Sequence, residues 1–160
     1  MAGASLVGSA VGIILLIVTA YVLVSGAITV SQVTVGAQKE MTGVQERILG
    51  TSLSVTYFSS AGTSPVTLVL NNTGREVIGP FNRMDVYVYD ATSGLTRYQY
   101  NLAGGAGTWR NETPIVPDII NPRMWDPGER LNITIEPETG ASPVWVRVTT
   151  QNGVSVSGYL

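Results

Sequence analysis

LVGSAVGIILLIVTAYVLVSGA, residues Leu6–Ala27, contains no charged side chain, and the first charge in the chain is Lys39. A helix rises roughly 1.5 Å per residue and a bilayer core is roughly 30 Å thick, so about 20 apolar residues suffice to cross it. This stretch is long enough. In hydrocarbon every backbone N–H and C=O must be paired internally, which a continuous helix achieves and an irregular chain does not. A cleaved secretory leader would carry a basic n-region and a shorter apolar run, and the MAGAS start has neither Lys nor Arg. The buried helix of a soluble domain would keep a polar face, which is absent here. A retained membrane anchor is the reading that fits.

Small residues mark this helix. Gly8 and Gly12 stand one turn apart, where a second helix could approach closely. Beyond the apolar stretch, Val30, Val33, Ala37, Met41, Val44 and Ile48 recur every three or four residues, while Gln38, Lys39, Glu40, Gln45, Glu46 and Arg47 fall largely elsewhere. The spacing predicts an amphipathic continuation over residues 28–49, its stripe meeting either its own domain or a partner helix. Gly50-Thr51 is the expected stop, glycine being the usual helix terminator.

From Ser52 the period changes to two. Strands are expected at Ser52–Phe58, Val66–Asn71, Met84–Asp90, Thr96–Leu102, Arg130–Glu136, Val144–Thr150 and Val154–Tyr159. Short strands separated by Gly, Pro, Asn and Ser clusters predict an all-β, immunoglobulin-like sandwich of about seven strands. Two domains follow: residues 1–50, a transmembrane helix with its amphipathic extension, and residues 51–160, an extracytoplasmic sandwich. Val86 and Val88 should face one way and Tyr87 and Tyr89 the other; Val144, Val146 and Val148 should likewise oppose Trp145, Arg147 and Thr149. Asn152-Gly153 is a favoured pair for a tight type I′ turn. Between Ala103 and Asp126 the rhythm breaks at AGGAG and at Pro114, Pro117 and Pro122, and a long loop or edge segment is expected there. Trp109, Ile119, Ile120 and Trp125 make it a candidate partner surface, unless it folds down onto its own core.

Composition narrows the chemistry. A net charge of −2 and a charged fraction of 12 % give no basic patch for nucleic acid. With neither cysteine nor histidine, thiolate metal sites, disulfides and the commonest general base are all missing. Asp126/Glu129 and Glu136/Glu138 pair carboxylates, yet catalysis would need a cleft and shifted pKa values. Asp126 reads as a turn residue and the other three as solvated strand ends. AGGAG lacks the Lys and the helix of a phosphate-binding loop. The chain is therefore expected to be no enzyme, to use no cofactor and no metal, and to act by binding. Three N-x-[ST] sequons, at Asn71, Asn111 and Asn132, are candidate glycosylation sites and lean toward an exported domain.

The strand running into Asn72-Thr73-Gly74 and the later Trp125-Asp126-Pro127-Gly128-Glu129, set behind a charge-free helix, resemble the archaellum accessory proteins FlaF and FlaG, relatives of archaellins and archaeal type IV pilins. The resemblance covers most of the chain. It implies a stator: a pilin-like helix in the cytoplasmic membrane, single-pass, and an immunoglobulin-like domain outside, in the pseudoperiplasm, gripping the S-layer protein. Other archaellum subunits would be partners, and the chain would be a homo-oligomer. The alternative it implies is an extracellular filament subunit polymerised through the N-terminal helix. Against archaellin itself, MAGAS lacks the basic residue of a class III prepilin leader and the helix lacks Gly-Leu-Glu-Ala.

Overall fold

In the computed structural model, described for residues 2–59, 65–112, 115–118 and 120–160, the chain forms two compact units, Met1–Val44 and Gln45–Leu160. A single helix, α1 (Ala2–Gly50), runs through the first and into the second. Its 49 residues correspond to about 73 Å at the standard rise. It is long and apolar enough to cross a membrane. Thr19, Thr29, Thr34 and Thr42 return their hydroxyl protons to carbonyls one turn earlier, which keeps these polar groups satisfied along an otherwise apolar rod. Gly8 and Gly12 are open on all sides, and Val30, Val33, Met41, Val44 and Ile48 are all exposed.

The second unit holds eight strands: β1 (Leu53–Ser59), β2 (Val66–Asn72), β3 (Asp85–Asp90), β4 (Gly94–Tyr100), β5 (Thr108–Asn111), β6 (Arg130–Glu136), β7 (Pro143–Thr149) and β8 (Ser155–Tyr159). They are ordered β1-β2-β6-β5-β4-β3-β7-β8, and β1 and β8, at opposite ends of that order, lie in contact. The sheet thus folds over on itself as a sandwich. Every pairing is antiparallel except β4 with β5, which meet in parallel over only Gln99↔Thr108 and Tyr100↔Trp109. That short parallel seam is where one layer becomes the other.

Alternation builds the core. Val66, Leu68 and Leu70 of β2 and Leu131, Ile133 and Ile135 of β6 pack with Val86 and Val88 of β3 and Val146 and Val148 of β7, and all are buried. Tyr87, Trp145 and Arg147 take the opposite parity and face outward, while Val144, at the end of its strand, is partly exposed.

Two expectations change. Thr108–Asn111 is not loop but a strand in the middle of the order, flanked by β4 and β6. It stops before the prolines, is too short to show a period, and is reached through residues 101–107. There Asn101 takes the Ala103 N–H and donates to the Gly104 carbonyl. Gly104 sits at φ 77°, where a Cβ would lie 2.6 Å from Arg110 Nη1. The Asn152-Gly153 hairpin is also not type I′: Gly153 alone is left-handed, at φ 85°, and Arg123 is the one non-glycine with positive φ among the described residues.

Ile133 lies at the centre of both the β6 ladder and the core. Ile133→Ala should cost about 2–5 kcal/mol, seen as a lower urea midpoint for loss of the near-ultraviolet tryptophan signal in detergent-solubilised protein.

Candidate functional site

The two sequence motifs set apart by their glycines come together at one place, the exit of the helix. Asn72 is fully buried. Its amide donates to the carbonyl of Glu76 at 2.8 Å and to that of Trp125 at 3.0 Å, and its side-chain oxygen accepts the Gly74 N–H at 3.1 Å. The backbone closes the same junction, Asn72 N–H donating to Glu129 O at 3.0 Å and Gly128 N–H to Asn72 O at 2.8 Å. Across it, the buried Trp125 indole donates to Glu129 O at 2.8 Å, and the Glu129 carboxylate accepts the Asp126 N–H at 2.9 Å.

Gly74 then meets the helix end. A Cβ there would lie 2.4 Å from the Gly50 carbonyl oxygen and 2.5 Å from Ser52 N, so nothing larger than glycine fits. The last carbonyls of a helix have no partners within it; here other residues supply them. Arg75 N–H donates to Gly50 O at 2.8 Å, and Thr73 and Gly74 N–H donate to Ser52 O at 2.9 and 3.0 Å. Thr51 Oγ1 donates to Arg47 O at 2.8 Å, and the Asn152 amide donates to Thr51 Oγ1 at 2.6 Å. Asn152 is therefore a clamp on the helix end, a role invisible in a dipeptide read as a turn.

The other singled-out residues scatter. Trp109 and Trp125, read as partner surface, are core residues: Trp109 packs edge-on against Tyr100 with centroids 4.9 Å apart, and neither ring reaches solvent. The loop folds onto its own core, Ile115 following them inside, while Ile120 stays exposed and Ile119 lies outside the described residues. Of the sequons, Asn71 and Asn132 occupy the outward parity of β2 and β6, half-buried, with the Asn71 side-chain oxygen buried and unpaired. Asn111 lies opposite Ile133, on the core side, and accepts a hydrogen bond from Tyr100 Oη at 2.7 Å.

The carboxylates serve structure. Asp126 accepts the backbone N–H and side-chain amide of Asn121 at 2.8 and 2.7 Å, confirming a turn residue. Glu129 is buried and not a solvated strand end. Glu136 bridges to Arg110 and takes the Gly105 N–H at 2.6 Å, so the guanidinium first and the amide second hold its carboxyl below the usual range. Asp90 gathers the N–H groups of Ser93, Thr92 and Ser142, which likewise hold it low. Among the described residues no three of His, Cys, Asp and Glu are placed to share a metal ion.

No protein-family profile and no curated protein matches the chain. Solved structures do. A chain of the archaeal flagellum of Methanospirillum hungatei strain JF1 superimposes with a TM-score of 0.69 at 14 % identity, over 95 % of this chain and 90 % of that one. This is the fold of archaellum proteins. A chain of the archaellum periplasmic stator complex FlaF and FlaG from Sulfolobus acidocaldarius matches with a TM-score of 0.52 at 21 % identity, over 68 % of this chain and 87 % of that one. The stator protein FlaG from the same organism matches at 0.51 and 20 %, over 69 % and 99 %. The flagellum likeness, at 95 %, necessarily takes in most of the helix as well as the β-sandwich.

Gly74→Val should displace the helix exit and cost about 1–3 kcal/mol, read as a lowered urea midpoint, whereas Thr73→Val, at an exposed neighbour, should move it far less. Acid gives a second check. Because the folded-state pKa values of Asp90 and Glu136 are lowered, their stabilisation is complete above the ordinary values, 3.8 and 4.5, and is lost as pH falls through the folded ones. Stability should therefore drop below about pH 4, and Asp90→Asn should be less stable at neutral pH but less acid-sensitive, measured by unfolding midpoints across pH.

Proposed function

We propose that this chain is a structural component of an archaellum, working by grip and not by reaction, and that it is a stator-type subunit. In this reading α1 is anchored in the cytoplasmic membrane, the sandwich stands outside it, and the sandwich holds the S-layer protein and other archaellum subunits, as a homo-oligomer. The observation that carries the reading is the likeness of this chain to two archaellum stator chains, 87 and 99 % of whose lengths are matched. Their identity to this chain, 20–21 %, exceeds the 14 % of the flagellum chain. None of these neighbours is described as an enzyme.

One observation favours a second reading, that of a filament subunit. Ala2–Gln38 is helical and free of charge, about 55 Å of apolar rod against a bilayer core of roughly 30 Å. An anchor at Leu6–Ala27 leaves Ile28, Val30, Val33 and Val35 outside hydrocarbon and exposed, whereas a filament interior would cover them. The flagellum likeness also runs through the helix.

Tagged chain in an archaellated archaeon separates the two. The stator reading expects it in the membrane fraction and not in sheared filaments; recovery as a major component of sheared filaments overturns it. Val33→Lys should leave membrane retention unchanged in an anchor and should abolish incorporation in a filament subunit.

A further inference from the structure

The outward face of β4-β3-β7-β8 carries a row that no part of the assembly reading uses. Leu95, Tyr89, Trp145 and Tyr159 stand directly opposite one another across the four adjacent strands. The next row along the strands is Arg97, Tyr87, Arg147 and Ser157. Tyr159 is 79 % exposed, Leu95 61 % and Tyr89 45 %, and Trp145 is half-buried. Among the described residues the only ring-to-ring contact is Tyr100 with Trp109 in the core, so the faces of Tyr89 and Tyr159 are uncommitted. Two shallow grooves cross this surface, and both are walled by Trp145 and Arg147.

Charge decides what would lie there. Arg97 is neutralised by Asp85, at 2.6 Å. Arg147 is exposed, has no carboxylate partner among the described residues, and is braced over Trp145 with its guanidinium carbon 5.3 Å from the ring centroid. A cation thus lies alongside the row of rings, over its Trp145. Tyr, Trp and Arg are also the residues enriched at protein interfaces, so a second copy is the occupant that has to be told apart from a sugar. A second copy packed face to face about a two-fold axis would bring central residues onto their own counterparts, Arg147 against Arg147. A sugar chain presents what is missing: flat, C–H-rich ring faces for Tyr89 and Tyr159, and a rim of hydroxyls for the polar row. Adjacent strands are about 5 Å apart, close to the length of one sugar ring, so neighbouring positions of the row can meet successive units.

We infer that this face binds an extended acidic glycan, its pyranose rings lying on Tyr89 and Tyr159 and a uronic carboxylate paired with Arg147. The inference is independent of whether the chain is a stator or a filament subunit. Its occupant is defined by chemistry alone: linear, ring-stacking and anionic.

The molecule provides its own reporter, since of its three tryptophans only Trp145 is open to solvent, Trp109 and Trp125 being buried. The full chain in an amine-oxide detergent, free of sugar headgroups, is titrated with hexagalacturonate, with neutral cellohexaose and with polyglutamate, following tryptophan emission and heat. Hexagalacturonate should shift the emission and saturate. Tyr89→Ala and Tyr159→Ala should each weaken it up to about tenfold, with near-ultraviolet dichroism unchanged. Arg147→Gln should weaken hexagalacturonate similarly and leave the weaker cellohexaose response where it was. Neither signal with hexagalacturonate overturns the inference. So does an equal response to polyglutamate, which would mark bare charge, or equal affinity for cellohexaose, which would remove the carboxylate. Dissociation of an oligomer by Tyr159→Ala, with hexagalacturonate silent, would assign the face to a second copy instead.

Discussion

The turn that meets the helix exit depends on one side chain, the amide of Asn72, which reaches both segments of chain converging there. It donates to two carbonyls, that of Glu76 and that of Trp125, which also accepts the Ile78 N–H. Leaving one such carbonyl unpaired costs about 1–3 kcal/mol, so the amide is worth more than a typical surface contact. By fixing the turn at Gly74 it also fixes where three N–H groups point, and these are the groups that hold Gly50 and Ser52. Trp125 is buried by the same arrangement. Core packing and helix capping are therefore coupled through a single residue.

The sandwich solves a different problem, how to close a sheet whose chain enters at one edge. β1 follows the helix directly and β8 ends the chain, yet these edges lie in contact. The turn between layers is made at the β4–β5 seam, where two residue pairs suffice because the Arg110–Glu136 bridge and the Gly105 N–H stiffen the neighbouring loop. The polar network there is paired internally, its charged side chains staying partly exposed.

Much of this was legible in the sequence. The apolar helix, its end at Gly50, and the strands with alternating valines follow from periodicity, because a half-buried strand shows its parity in its residues. What failed was local reading of residues whose role is set by distant neighbours. Trp109 and Trp125, in proline-broken surroundings, looked like loop surface, yet one is placed by a parallel partner and the other by Asn72, 53 positions away. Trp145 shows the reverse: its parity opposite Val146 marks it as outward, but the row it joins is made by strands distant in sequence. Asn152 resembled a turn residue and is spent on a helix end more than a hundred positions upstream, a contact no short-range pattern encodes.

The capped exit also governs how the molecule bears load. A tug along the chain at residues 47–52 would not reach the first rung of the β1–β2 ladder directly. It would be taken up beforehand by the Arg75 amide on Gly50 and the Thr73 and Gly74 amides on Ser52. Rope fastened to a cleat behaves this way: tension is shed at the fastening, and the woven sheet behind it stays slack.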